Sequence, residues 1–165
     1  MGALKGRKII LGVTGGIAAY KAVELARLLV KAGAEVQVVM TAAARQFVGA
    51  LSFQAVTGRQ VRNELFDPAH EAAMGHIELA RWADTLVIAP ASADFIARLA
   101  HGLADDLLST LCLATPARLL LAPAMNQQMW RNPATVANVS TLESRRVEIL
   151  GPAEGEQACG DMGPG

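Results

Sequence analysis

Lys8-Ile9-Ile10-Leu11-Gly12-Val13-Thr14-Gly15-Gly16 (8–16) decides the fold class. From Ile9 to Val13 the run is apolar without alternation. That pattern belongs to a strand buried on both faces, as in a parallel sheet covered by helices. Thr14-Gly15-Gly16 then reads as a tight turn. Over 17–31, Ala18, Val23, Ala26, Leu29 and Val30 fall roughly at helical spacing, and Gly33 stops the helix. Working outward, strands are predicted at 35–40, 85–89, 118–122 and 147–150, with helices over 93–100, 104–114 and 133–145. Strands alternating with helices imply right-handed crossovers and a three-layer α/β sandwich around a parallel, Rossmann-like sheet. Ligands in such folds sit beyond the carboxyl ends of the strands. The segments 14–16, 41–47, 90–95 and 123–126 all follow strands, and they are the candidate site. The stretch 59–83 is broken by Asn63, Asp67-Pro68 and Gly75 and lacks sustained periodicity, so it reads as a long irregular connection. Such connections are more often functional than idle, and His76 lies in this one.

Composition narrows the class. The 165 residues suit one domain, 1–165, with one core. At 52 % hydrophobic, the chain has more apolar surface than one face of a sheet can hide, so burial on both faces or against other subunits is expected. No apolar run approaches the roughly 18 residues of a membrane span, and 9–13 is too short and too glycine-rich for a signal peptide. Fifteen basic residues balance fifteen acidic ones with no basic block, which argues against nucleic acid. Two cysteines, far apart and outside any CxxC, point to a reducing compartment, taken as the cytoplasm, and away from a zinc knuckle. No metal site is expected.

The first turn limits the nucleotide. Gly12-Val13-Thr14-Gly15-Gly16 has neither GxGxxG nor GxxxxGK[ST] spacing. The second strand ends at Met40-Thr41, without the acid that holds an adenosine ribose. NAD is therefore disfavoured. Hydroxyls at Thr14 and Thr41, with backbone N–H groups at the helix start, suit a phosphate monoester such as that of FMN. The alternative is that the glycines serve only a tight turn and close packing.

Four short strings add chemistry: Gly-His-Ile-Glu (75–78), Pro-Ala-Ser-Ala-Asp-Phe (90–95), Pro-Ala-Met-Asn-Gln-Gln-Met-Trp (123–130) and Ala-Cys-Gly-Asp (158–161). Together they make the chain resemble the homo-oligomeric flavin-containing cysteine decarboxylases, and most closely their phosphopantothenoylcysteine decarboxylase domains, from Gly12 to Gly165. The resemblance implies a flavoprotein fold and bound FMN. It implies cofactor contacts from Gly15, Gly16 and Ile17 in the first turn, from Phe47, and from Ser92, Ala93, Asp94 and Phe95 in the third loop. Ala124 would add a backbone contact. Relatives often carry Asn where Asp94 stands, which puts that contact in question. Ser92 or Asp94 also suits a simple helix N-cap, and a lone aromatic such as Phe47 is commonly packing.

The resemblance makes His76 the active-site base, a role imidazole suits near neutral pH. His70 and His101 match no motif and read as ordinary surface or packed residues. Asn126 would hold the substrate carboxylate, since an amide donates and accepts at once, although an N-cap is the plainer alternative. Met125 and Ala158 would line the substrate. Cys159 would be the final acid, carried on a glycine-rich flap over 151–165 that is expected to be mobile, whereas Cys112 in an apolar helix reads as a buried structural thiol.

A cysteine carboxylate has no electron sink. Hydride removal from the carbon bearing sulfur gives a thioaldehyde, CO2 leaves to an ene-thiolate, and returned hydride and a proton close a redox-neutral cycle whose hard step is the cofactor's. The implied reaction converts 4′-phosphopantothenoylcysteine to 4′-phosphopantetheine for coenzyme A. A trimer or dodecamer is implied, as is fusion to a phosphopantothenate–cysteine ligase domain. A peptidyl-cysteine decarboxylase of the same family and a non-catalytic flavin-binding regulatory subunit remain as alternatives. The presence of both His76 and Cys159 speaks against the latter.

Overall fold

Strand β1 (Lys8–Val13) sends Ile10 into one buried layer and Ile9, Leu11 and Val13 into the other. Both faces being covered is why the strand carries no polar alternation. The computed structural model describes residues 2–69, 74–152, 154–156 and 162–164. Around β1 stand β2 (Glu35–Met40), β3 (Thr85–Ala91), β4 (Arg118–Pro123) and the short β5 (Glu148–Ile149). All pair in parallel, in the order β2-β1-β3-β4-β5. Strands β6 (Glu154–Glu156) and β7 (Met162–Pro164) form a separate antiparallel pair.

The three-layer α/β sandwich is as expected. Helices His76–Trp82, Ala93–His101, Leu107–Ala114 and Pro133–Ser144 share one core with Ile10, Leu86, Ile88 and Leu121. Helices Lys21–Lys31 and Ala50–Thr57 share the other with Leu11, Val38 and Met40. Gly12 faces the first layer, where an added Cβ would lie 2.6 Å from Leu108 Cδ1 and 2.7 Å from Ile88 Cδ1. Glycine at that point lets helix Leu107–Ala114 close onto β1.

Local chemistry sets the element ends. The predicted helix over 104–114 begins at Leu107, because Asp106 and Ser109 form a reciprocal capping box. The predicted helix over 17–31 divides into a 3₁₀ turn, Ile17–Tyr20, and an α-helix from Lys21. Asn132 caps helix Pro133–Ser144 by accepting from Ala134 N at 2.9 Å.

The stretch 59–83 departs from its reading as an irregular connection. Arg62 makes a parallel bridge to Val39, accepting from Met40 N and donating its N–H to Val38 O, which occupies part of the outer edge of β2. Residues His76–Trp82 form a helix with Leu79 and Ala80 buried. Thr115 Oγ1 donates to Ala80 O at 2.7 Å, and the Arg59 guanidinium lies 5.1 Å from the Trp82 ring centroid. Seven residues are too few for periodicity to show in sequence, so tertiary contacts define this helix. Among the described residues, no helix is long and apolar enough to cross a membrane.

Candidate functional site

Strand order 2-1-3-4-5 reverses direction between β1 and β3, and a crevice opens beyond the carboxyl ends of strands that flank such a reversal. A cleft of about 270 Å³ lies there, bounded by Thr14, Gly15, Thr41, Ser92, Asp94 and Phe95 of the expected set. Ala42, Ala43, Arg98, Asp105 and Asp106 complete it. Ala42 and Ala43 belong to the expected segment 41–47, whereas Arg98, Asp105 and Asp106 were missed in the sequence because they belong to no motif.

Each wall has a local cause. At Gly15 an added Cβ would stand 2.5 Å from Ala43 Cβ, so glycine is what lets the turns after β1 and β2 meet. Thr41 Oγ1 accepts from Ala44 N at 3.1 Å and starts the next turn. Thr14 is 1 % exposed. Its hydroxyl donates to Pro90 O at 2.5 Å and accepts from Ser92 N at 2.9 Å. Ser92 caps helix Ala93–His101 by accepting from Phe95 N at 3.1 Å. The capping alternative is therefore real, and it aims the helix N-terminus, an anion-favouring end, at the cleft.

Charge on the cleft is mixed. Arg98 donates to Asp94 Oδ2 at 3.0 Å and to Asp105 Oδ1 at 2.8 Å. The guanidinium is held above its ordinary pKa, first by Asp94 and then by Asp105. Asp94 thus spends its charge one helical turn along its own helix. Cys112 is buried as expected, and burial, with Asp106 as a smaller cause, pushes its thiol pKa up into unreactive territory.

The remaining expected residues that are described do not line this cleft. Ile17 is 63 % exposed and Phe47 is 53 % exposed, so Phe47 is not core packing. Gly16 joins the turn to the 3₁₀ segment, and Ala93 is the first residue of its helix. Ala124 N donates to Ala91 O at 3.1 Å, which brings the exit of β4 against the exit of β3. Met125 follows, partly buried against the first core, and Asn126 Oδ1 accepts from Gln128 N at 2.8 Å. Asn126 is thus an N-cap, of helix Gln127–Arg131. His76 opens its helix just after Gly75. Asp84, at that helix's far end, exchanges hydrogen bonds with Lys8 at the amino edge of β1. The His76 end consequently points towards the carboxyl edge. Ala158 and Cys159 lie outside the described residues. The β6–β7 pair that brackets them in sequence is described, and β7 lies against helix Gln127–Arg131. Among the described residues, no group of three or more His, Cys, Asp or Glu is placed to hold a metal ion.

Known proteins match this chain in sequence and in fold. The family model described as Flavoprotein matches residues 2–165. The coenzyme A biosynthesis bifunctional protein CoaBC of Vibrio vulnificus (strain YJ016) is 61 % identical over 165 residues, covering 100 % of this chain and 41 % of its own. The chain thus spans about two-fifths of the length of the curated relatives that it matches. The FMN-dependent cysteine decarboxylase SpaF superposes with a TM-score of 0.83 at 35 % identity, covering 98 % of this chain and 91 % of that one. A PPC decarboxylase mutant complexed with pantothenoylaminoethenethiol superposes with a TM-score of 0.82 at 32 % identity, covering 96 % and 89 %.

Proposed function

The chain belongs to the Flavoprotein family, and we propose that it binds FMN and decarboxylates the cysteine end of 4′-phosphopantothenoylcysteine, giving 4′-phosphopantetheine and CO2 in coenzyme A biosynthesis. The observation that carries the reading is one edge of one sheet. A cleft at the strand-order reversal adjoins the exit of β4, where Met125 and Asn126 stand.

The residues fit the cofactor. The contact of Gly15 with Ala43 leaves backbone, not side chains, at the first turn. The capped helix start at Ser92 supplies N–H groups for phosphate or ring polar atoms. Phe47, exposed on the turn after Thr41, offers an aromatic face. When bound, FMN supplies the two-electron chemistry that a lone cysteine carboxylate lacks.

The chain's own residues do the rest. Asn126 uses its oxygen as a cap, and its amide nitrogen is the group assigned to the substrate carboxylate. Met125 and Ala158 flank that end of the substrate. His76 takes the proton that leaves as the carbon next to sulfur is oxidised. Cys159 returns a proton to the ene-thiolate, for which a thiol of ordinary pKa about 8.5 is a competent acid at neutral pH. The solved PPC decarboxylase is complexed with pantothenoylaminoethenethiol, whose ethenethiol end is the group that CO2 loss from such a thioaldehyde would leave.

Exposed Ile17, Tyr20, Phe47 and Leu51 follow the cleft-lining turns closely in the chain. Apolar surface of that kind supports burial between copies, as a trimer or a dodecamer built from trimers. The name of the longer relatives supports reading this stretch as one portion of a bifunctional coenzyme A biosynthesis protein. We assign it the decarboxylase portion, give the other portion the joining of cysteine to phosphopantothenate, and place the whole in the cytoplasm.

The test is incubation of flavin-loaded protein with phosphopantothenoylcysteine and, separately, with a peptide ending in cysteine, followed by mass analysis. The first substrate should lose one CO2 and the second should persist. Turnover of the peptide alone would overturn the substrate assignment.

A further inference from the structure

We propose that Thr14 is a positioning residue, fixing the third loop for flavin through Ser92 instead of touching the flavin phosphate. The proposal rests on the FMN reading above and assigns a different role to a hydroxyl that the sequence offered as a phosphate ligand. Thr14 is 1 % exposed. A hydroxyl has one hydrogen to donate, and Thr14 gives it to Pro90 O at 2.5 Å. A phosphate oxygen also needs a donor, and this donor is already spent. The same oxygen accepts from Ser92 N at 2.9 Å.

Ser92 is the hinge of the cleft wall. Its N–H goes to Thr14, its hydroxyl accepts from Phe95 N, and its carbonyl accepts from Ile96 N at 2.9 Å. The two latter bonds start helix Ala93–His101, and the first ties that start to β1. Thr14 thereby fixes the distance between the two strands that flank the reversal in strand order. It also orients the amides that face the cleft. Removing the hydroxyl while keeping its shape leaves Pro90 O with Thr14 N, a longer contact of 3.3 Å, but takes from Ser92 N–H its bond to β1.

The experiment compares wild type, Thr14→Val and Thr14→Ser for binding of FMN and of riboflavin by flavin fluorescence. Hydrogen exchange at the Ser92 amide and thermal melting are followed in flavin-free protein. Thr14→Val should weaken both flavins by a similar factor of about ten, or about 1.4 kcal/mol, with faster exchange at Ser92. Thr14→Ser should restore both. A loss confined to FMN would mean that the hydroxyl meets the phosphate, and overturns the proposal. Unchanged flavin affinity and unchanged exchange in Thr14→Val overturn it as well, as does a lowered melting temperature with no change in affinity. Wild type that binds neither flavin would refute the FMN reading instead, while exchange at Ser92 still decides whether Thr14 holds the loop.

Discussion

The inner wall of the cleft and its outer rim are built on opposite terms. The wall, at Thr14, Gly15, Ala43 and Ser92, is closed by its own hydrogen bonds and by a contact that admits no Cβ. The segments that follow the cleft-lining turns in the chain, taken here as the rim, leave the large apolar side chains of Ile17, Tyr20, Phe47 and Leu51 in solvent. Folding alone explains the first arrangement, since the Thr14 hydroxyl and the Ser92 amide and hydroxyl find protein partners. It does not explain the second, because water gains nothing from an exposed phenyl ring. The lesson is that the wall is held together within this chain, while folding alone leaves the rim unexplained. Perturbing the wall should damage the fold and flavin together. Perturbing the rim and the catalytic side chains should damage function alone.

The largest separation is expected at His76. His76→Asn should retain flavin absorbance yet lose decarboxylation by about 10²-fold or more, because an amide cannot accept a proton as imidazole does. Product formation under saturating FMN checks it, and an active variant would remove His76 from the chemistry. Next comes the wall itself. Gly15→Ala sets a methyl 2.5 Å from Ala43 Cβ. Overpacking of that kind typically destabilises by about 1–3 kcal/mol, so the melting temperature and the flavin content should fall together. A variant with wild-type melting and weak flavin binding would blur the distinction between wall and rim.

What was legible in the sequence divides along similar lines. Strands β1 to β4 were readable as apolar runs because a sheet buried on both faces demands them, and the loops after them located the site edge. Helix His76–Trp82 was not legible, since Leu79 and Ala80 make too short a pattern and the fixing bonds come from Thr115 and Arg59, distant in sequence. Helix Ala50–Thr57 went unread because its exposed Leu51 and buried Phe53 do not form a simple stripe. In the site, Ser92 and Asn126 were readable as caps from their residue type. The pairing of Arg98 with Asp94 and Asp105 was not, because Asp105 joins through a turn of the chain. Exposure of Phe47 was also beyond the sequence, where an aromatic reads first as core.

The rim gives a smaller effect. Phe47→Ala should change stability by no more than about 0.5 kcal/mol, as exposed positions do, while weakening FMN severalfold in a fluorescence titration. A large drop in melting temperature with unchanged flavin affinity would make Phe47 structural and move it to the wall. The smallest effect is expected at Asp94. Its pair with Arg98 is exposed, and such pairs add little to stability. Asp94→Asn should therefore leave the melting temperature nearly unchanged. By removing a negative charge beside an anion-favouring helix end, it should tighten FMN slightly, more at low salt than at high salt.

The most direct test of a flavin at the strand-order reversal is the identity of what the purified protein releases on denaturation. The account predicts FMN, close to one per chain, from a yellow protein. Stoichiometric FAD or NAD, or a colourless protein that no added FMN turns yellow, would contradict it.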